Sequence, residues 1–136
     1  PGGTLGRKLL TRVADIMRTG SAIPAVHSGT TMLEMMKVMS ASGLGLAVLT
    51  DVQQSPIGIF TDGDLRRELS LGNDFVHQSI VSIMRTNPKT IHASALAVDA
   101  ASIMEGEKIT TLLVVSDSGH LVGVVNSNDL LRAKVI

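Results

Sequence analysis

The stretch Gly58-Ile59-Phe60-Thr61-Asp62-Gly63-Asp64 occurs twice in this chain of 136 residues, and the repeat decides the fold. The second copy is Gly123-Val124-Val125-Asn126-Ser127-Asn128-Asp129, at an offset of 65 positions (123 − 58 = 65). Each copy is a short apolar run that stops at a hydroxyl or amide side chain, with an Asp three residues later. Upstream, Val13–Thr19 matches Ile80–Thr86 at an offset of 67 (80 − 13 = 67). The chain therefore consists of two tandem copies of one unit of about sixty residues.

Composition indicates a buried core and excludes several classes of function. A chain of about 60 residues buries only about 60% of its unfolded surface, so we expect the two copies to pack against each other. The content of 44% hydrophobic and 18% charged residues, with a mean hydropathy of +0.32, fits such burial. Twelve basic residues balance twelve acidic ones, and two Phe without Tyr or Trp offer no stacking surface, which argues against nucleic acid as a partner.

The absence of cysteine excludes disulfides and thiolate metal sites, and it is typical of a cytoplasmic protein. No apolar run reaches the roughly 18 residues of a membrane span, so we expect no membrane partner.

Apolar periodicity and turn signals predict the same order of elements in both copies: strand, helix, two strands, helix. In the first copy Thr30 or Thr31 caps a helix whose apolar face carries methionines. The elements of the first copy are an extended Ile23–Val26, a helix with Met32, Met35, Met36 and Met39 inward, strands Leu46–Leu49 and Ile57–Phe60, and a helix from about Gly63 to Leu71. Those of the second copy are a short helix Ser79–Met84, an extended Thr90–His92, a helix Ala95–Glu107, strands Thr111–Val115 and Leu121–Val125, and a helix Asn128–Lys134. The predicted fold class is α/β (α+β), with two β-α-β-β-α units related by pseudo-two-fold symmetry.

The predicted division of the chain follows the repeat. Pro1-Gly2-Gly3 is a cluster of helix and strand breakers, and residues 1–12 read as a linker. The first domain is predicted at 13–76 and the second at 77–136.

The strand-to-helix junction of each copy carries a candidate binding site. Thr61 and Asp64 form a helix N-cap, and Asn126 with Asp129 form another. A strand end that runs into a helix start, between two pseudo-symmetric halves, is also where ligands bind in α/β folds. There Thr61 offers a hydroxyl, Asp64 a carboxylate for a ribose diol, and Arg67, on the same helix face, a guanidinium for phosphate.

Asp129 and Arg132 have the same spacing as Asp64 and Arg67. No nucleophile is paired with a base, so the pattern predicts binding and no catalytic residue. The four histidines lack metal-ligand spacing, so we predict no metal site. Gly43-Leu44-Gly45 lacks the third glycine of a dinucleotide fingerprint, so we predict no required cofactor.

Two β-α-β-β-α units that each end in Gly-x-x-(Thr/Ser/Asn)-x-x-Asp resemble a tandem pair of cystathionine-β-synthase (CBS) domains, a Bateman module, over about residues 13–136. Phe60–Arg67, together with the opening Pro1–Leu10, resembles more specifically the C-terminal part of the bacterial arabinose-5-phosphate isomerase family. The resemblance implies that a sugar-isomerase domain precedes the CBS pair in the whole protein. That domain would interconvert ribulose 5-phosphate and arabinose 5-phosphate for 3-deoxy-D-manno-octulosonate (Kdo) and lipopolysaccharide synthesis. The chain itself would then be a regulatory piece and no enzyme.

The resemblance also implies binding residues. In CBS pairs the motif Thr and Asp commonly contact a nucleotide, and neighbouring strand starts form the walls of the site. The first implied site comprises Ile23, Gly45, Leu46, Thr61, Asp64 and Arg67, and the second comprises Thr90, Thr110, Thr111, Asn126, Asp129 and Arg132. Asn126 departs from the commoner Thr or Ser. Such modules also imply a homodimer of CBS pairs within a homotetrameric parent.

Two hypotheses of function remain open at this point. The first is a sensing module that binds a nucleotide or nucleotide-sugar between the repeats, with CMP-Kdo, the activated end product, as the first effector and adenine nucleotides as the second. The alternative is a structural or oligomerisation module that binds nothing. A third hypothesis, that this chain is itself an isomerase, lacks a positioned base.

Overall fold

The computed structural model describes residue 6 and residues 9–136. Residues 1–5, 7 and 8 of the predicted linker lie outside the described residues. In chain order the elements are α1 (Val13–Ile16), β1 (Ala25–Val26), α2 (Met32–Ser42), β2 (Leu46–Thr50), β3 (Pro56–Thr61), α3 (Asp62–Ser70), α4 (Ile80–Ile83), β4 (Arg85–Thr86), β5 (Thr90–His92), α5 (Ala97–Glu107), β6 (Thr111–Val115), β7 (Leu121–Asn126) and α6 (Ser127–Arg132), with single 3-10 turns at Gly20–Ala22 and Phe75–His77. The predicted mixed α/β fold and the order of elements within each copy are confirmed, with bounds that differ by one or two residues.

The folded chain forms two compact units. Pro24–Pro88 forms the continuous unit, whereas the residues up to Ile23 join Lys89–Ile136 to form the split unit. The predicted division at 76/77 concerns the sequence repeats and stays a prediction.

The continuous unit carries a four-stranded sheet in the order β1-β2-β3-β4. Strand β1 is parallel to β2, and the other pairs are antiparallel. Every residue of β2 is buried, as its apolar composition requires. The methionine face of α2 covers this sheet: Met32, Met35 and Met39 are buried beside Phe60, while Met36 is only partly buried. The predicted cap at Thr31 is confirmed, since its hydroxyl accepts a hydrogen bond from Glu34 N at 3.2 Å.

The split unit repeats this architecture with a three-stranded sheet in the order β5-β6-β7, in which β5 is parallel to β6. Helix α5 buries Ala100 and Met104 against Leu112 and Val125 of the sheet. None of the described helices has the length and apolarity needed to cross a bilayer.

The matching stretches 13–19 and 80–86 complete the two units. Val13, fully buried, belongs to the core of the split unit, and Arg18 pairs with Val124 through backbone hydrogen bonds of 2.8 and 3.0 Å. In the continuous unit β4 pairs with β3, and Ile80 packs in the core. Each strand-to-helix junction is therefore bordered by a segment that comes from elsewhere in the chain.

Candidate functional site

The junction of β3 and α3 places Thr61 and Asp64 together through a reciprocal cap. The Thr61 hydroxyl accepts from Asp64 N at 3.2 Å, and the Asp64 carboxylate accepts from Thr61 N at 2.9 Å. The predicted N-cap is thus confirmed. Thr61 keeps an extended backbone (φ −114°, ψ 166°), which ends the strand and aims its side chain at the first turn of the helix.

Asp64 is a buried carboxylate held between two arginines. It is 4% exposed. Arg67 donates to its Oδ1 at 2.9 Å, and Arg85 donates through Nε to its Oδ2 at 3.2 Å. Burial by itself raises the pKa of Asp64, but hydrogen bonds from Thr61 and Arg67 and the charge of Arg85 outweigh it and hold the pKa below its ordinary value. The group is therefore an anion at neutral pH.

The junction of β7 and α6 in the split unit repeats this cluster. The carboxylate of Asp129, 6% exposed, accepts from Asn126 N at 2.9 Å and from Arg132 at 2.5 Å. The Arg18 Nε lies 3.2 and 3.1 Å from its two oxygens. Burial again raises the pKa of Asp129, and the contacts with Arg18, Asn126 and Arg132 reverse this effect and lower it.

The two clusters differ in the contacts of the side chain that ends the strand, which is Thr61 in one cluster and Asn126 in the other. The Asn126 amide oxygen accepts from Asn128 N at 2.9 Å, while its nitrogen donates to Thr111 Oγ1 at 2.9 Å. Thr61 pairs with an apolar residue, Leu46, at the equivalent position of the neighbouring strand.

The arginines make each junction attractive to anions. One carboxylate between two guanidinium groups leaves one positive charge, and the side chains of Arg67, Arg85 and Arg132 are 63, 58 and 69% exposed, whereas Arg18 is 29% exposed. A guanidinium that is held by a buried acid but still open to solvent can bind a phosphate in a fixed orientation.

The prediction of the site missed Arg18 and Arg85. Their signal was present in the sequence, because Met17-Arg18-Thr19 and Met84-Arg85-Thr86 repeat at the offset of 67. The spacing alone did not indicate which aspartate each arginine contacts.

The predicted wall residues of the first site lie beside Thr61. Gly45 has φ +73°, in the left-handed region, and its carbonyl accepts from Asp62 N at 3.0 Å. Leu46 begins β2 opposite Thr61 and is buried. An open cavity of about 320 Å³ lies between α2 and the start of α3. Its lining includes Gly45, Asp62, Met36, Met39 and Leu65.

Of the remaining predicted site residues, some lie at the β7–α6 junction and others do not. Thr111 pairs with Asn126, and the Thr110 carbonyl accepts from Ser127 N at 2.8 Å, so both lie at the β7–α6 junction. Thr90 opens β5 and pairs with Leu113, one strand away from β7. Ile23 is partly buried just before β1 and belongs to the split unit.

Metal ligation finds no support in the part of the chain that the structure describes. No group of three or more His, Asp and Glu side chains there could hold a metal ion. The His27 Nδ1 accepts from Gly29 N at 3.1 Å, which gives that histidine a local role in its turn.

Comparison with known proteins gives a family and a set of relatives. The family model of the CBS domain matches residues 13–71 and 80–136. Over 136 residues the chain is 44% identical to the arabinose 5-phosphate isomerase KdsD of Pseudomonas aeruginosa and 42% identical to that of Escherichia coli strain K12. The match lies in the C-terminal CBS region of these enzymes, and the chain spans only 42% and 41% of their lengths.

Solved structures share the fold. The CBS domain pair of protein MJ0100, in complex with 5′-methylthioadenosine and S-adenosyl-L-methionine, has a TM-score of 0.78 at 26% identity and covers 90% of this chain and 94% of that chain. CBSX2 in complex with AMP has a TM-score of 0.78 at 20% identity, covering 92% of this chain and 96% of that chain. PAE2072 from Pyrobaculum aerophilum, complexed with AMP, has a TM-score of 0.76 at 24% identity, with 88% and 89% covered. The last two likenesses show the fold alone.

Proposed function

The chain belongs to the CBS domain family, and on that premise we propose that it is a ligand-sensing regulatory module that binds a nucleotide or nucleotide-sugar at the β3–α3 junction. The observation that carries the proposal is the buried Asp64 carboxylate, flanked by the Thr61 hydroxyl and by the exposed guanidinium groups of Arg67 and Arg85. A relative of the same fold at 26% identity, MJ0100, binds two adenosine derivatives, which supports a ligand of this class.

The chemistry of the cluster suits a phosphorylated nucleoside. A ribose hydroxyl donates to the Asp64 carboxylate, and the Thr61 hydroxyl hydrogen is available to a phosphate oxygen. Arg67 and Arg85 supply the positive charge that a phosphate needs. Gly45 and Leu46 form the wall toward the base, with Gly45 allowing close approach because it has no side chain.

We propose that the whole protein is an arabinose 5-phosphate isomerase, because the chain is 42–44% identical to the C-terminal CBS region of such enzymes. The catalytic step would then belong to the remaining part of that protein. Binding to the CBS pair would shift the population of active enzyme through a difference in ligand affinity between its states. CMP-Kdo is the first effector that we propose, as feedback from the end product of the pathway, and adenine nucleotides are the second. A cytoplasmic location and a homodimer of CBS pairs within a homotetramer complete the proposal.

The alternative function, a structural module that binds nothing, is favoured by one observation. Thr61 and Asp64 already form a complete capping box for α3, so their presence needs no ligand. The test must therefore separate capping from binding.

The chain offers a matched control for this test. Thr31 and Glu34 form the same capping box on α2, where no ligand is proposed. We expect Thr61→Ala with Asp64→Ala, and Thr31→Ala with Glu34→Ala, each to cost about 1–2 kcal/mol of folding stability. Calorimetric titration of the 136-residue chain with CMP-Kdo, AMP and ATP should show binding that only the first pair of substitutions abolishes. If none of the three ligands gives heat of binding, or if both pairs of substitutions weaken binding equally, the structural alternative remains.

A further inference from the structure

We infer that the two repeats have different tasks: Asp64 is the sensing carboxylate, whereas Asp129 anchors the segment Arg12–Arg18, which we call the strap, to residues 89–136 of the split unit. The sensing half of this inference rests on the proposed function. The anchoring half rests on contacts alone.

The two carboxylates differ in how their oxygens accept hydrogen bonds. Each carboxylate oxygen can accept about two hydrogen bonds. Within the described residues, Asp64 Oδ1 accepts only from Arg67, and its Oδ2 accepts from Thr61 N and Arg85. Asp64 therefore retains one acceptor position for a ligand hydroxyl. Asp129 also accepts from three N–H groups, those of Arg132, Asn126 N and Arg18, but the single Arg18 Nε–H is shared between Oδ1 and Oδ2, so each Asp129 oxygen has two contacts where Asp64 Oδ1 has one.

The side chains that end strands β3 and β7 also differ in their contacts. Among the described residues the Thr61 hydroxyl only accepts, from Asp64 N, so its hydrogen is available to a ligand. The Asn126 amide is buried, and both its oxygen and its nitrogen already have partners. A ligand at the second junction would have to break contacts that a ligand at the first junction leaves in place.

The strap is held along its length by main-chain and side-chain contacts. Its main chain is tied at Val13 N to Ala95 O (2.8 Å), at Ala14 N to Ala93 O (2.9 Å) and at Arg18 to Val124. Val13 is the apolar side chain that the strap buries completely. At its other end, the Arg18 guanidinium shares both oxygens of Asp129 and is half as exposed as Arg85 on Asp64 (29% against 58%). Arg18 therefore fixes the end of the strap to residues 89–136 of the split unit.

The physical consequence is a fixed position of residues 12–18 against residues 89–136. The same motif would then bind the ligand in the continuous unit and hold the strap in the split unit, with different partners in each.

Hydrogen-exchange mass spectrometry of the full chain tests the anchoring half. Arg18→Gln and Arg132→Gln each remove one guanidinium from Asp129, but only Arg18 belongs to the strap. We expect the strap amides to exchange at least about tenfold faster in Arg18→Gln, because a charge-assisted contact is lost, and to stay within about twofold of the parent chain in Arg132→Gln. Arg18→Lys, which keeps the charge but loses the planar guanidinium that holds the Nε–H against Asp129, should lie between them and serves if Arg18→Gln does not fold. Equal exchange in all variants, or equal acceleration by Arg132→Gln, would refute the anchor.

Calorimetric titration with AMP tests the division of tasks through the equivalent pair Arg67 and Arg132. We expect Arg67→Gln to weaken AMP binding about tenfold and Arg132→Gln to leave it within about twofold. Equal weakening by both variants would refute the division. If AMP does not bind the parent chain, the proposed function fails for this ligand and the sensing half fails with it, while the exchange experiment still decides whether Arg18 is an anchor.

Discussion

At the scale of single residues, close packing explains the glycine that opens the repeated stretch. A left-handed backbone angle is not the reason for glycine at these positions. A Cβ on Gly123 would lie 2.6 Å from the Met17 sulfur and 2.9 Å from the Arg18 carbonyl oxygen. A Cβ on Gly58 would lie 3.0 Å from the Met84 Cβ. The motif glycine is therefore the place where the neighbouring segment crosses the strand, and any side chain there pushes that segment away.

We predict that Gly123→Ala destabilises the chain by about 1–3 kcal/mol, because the added methyl group meets backbone and a methionine sulfur in a packed region. Gly106→Ala is the matched control: it lies exposed in α5 with nothing within 4 Å of its Cβ position. There alanine should stabilise the helix by about 0.5–1 kcal/mol. Urea unfolding followed by circular dichroism measures both, and a neutral Gly123→Ala would show that the close crossing has no energetic weight.

At the scale of elements, the two motif helices depend on their first turns. Helix α6 spans only Ser127–Arg132 and α3 spans Asp62–Ser70, lengths that are marginal for an isolated helix. The third residue of each helix is an acid that accepts from the N-cap backbone N–H. The arginine three residues further on holds the same carboxylate, so capping and ion pairing reinforce each other.

This arrangement predicts a defined response to acid. The pKa of Asp64 and of Asp129 is below the ordinary value of 3.8 in the folded chain, so the unfolded chain binds protons more readily. The stability that these groups contribute is fully present above about pH 5 and is lost as the pH falls below 3.8 through the folded pKa values.

Urea unfolding between about pH 7 and pH 2.5 checks this response. We expect the double variant Asp64→Asn, Asp129→Asn to be less stable at neutral pH and to lose less stability between about pH 5 and pH 2.5 than the parent chain. If the substitutions leave the loss of stability with falling pH unchanged, other carboxyl groups dominate the response to acid. Asp74, exposed and paired with exposed His77, provides the control variant Asp74→Asn.

At the scale of the whole molecule, the compact units do not follow the linear order of the repeats. The split unit contains α1 and the second repeat from Lys89 onward, with Val13 in the same core as Ile91, Leu112 and Val125. Folding of this unit therefore needs residues that are separated by the whole continuous unit. A boundary drawn between the sequence copies would separate a core residue from its contacts.

We predict that Val13→Ala lowers stability by about 2 kcal/mol, through two lost buried methyl groups and the space they leave. The loss of hydrogen-exchange protection should appear within residues 89–136 and should spare β2 and β3 of the continuous unit. Val52→Ala, at a residue that is 97% exposed, should change neither quantity. Loss of protection confined to the first repeat would contradict the split unit.

The amino-acid sequence by itself determined the duplication, the order of elements and the caps. The duplication is read directly from the repeated stretches, while the order of elements and the caps depend on an apolar period or on residues three or four positions apart, which are local properties of a chain. The pairing of Thr61 with Asp64, and of Asp129 with Arg132, therefore follows from their spacing alone.

Only the tertiary structure decided which arginine meets which aspartate. Arg18 and Arg85 are equivalent by sequence, as are Asp64 and Asp129, so the repeat allows either pairing. The folded chain pairs Arg18 with Asp129, 111 positions away, and Arg85 with Asp64, 21 positions away. The physical reason is that a duplicated pattern is symmetric, whereas the path of the chain that carries residues 12–18 to the second repeat is not.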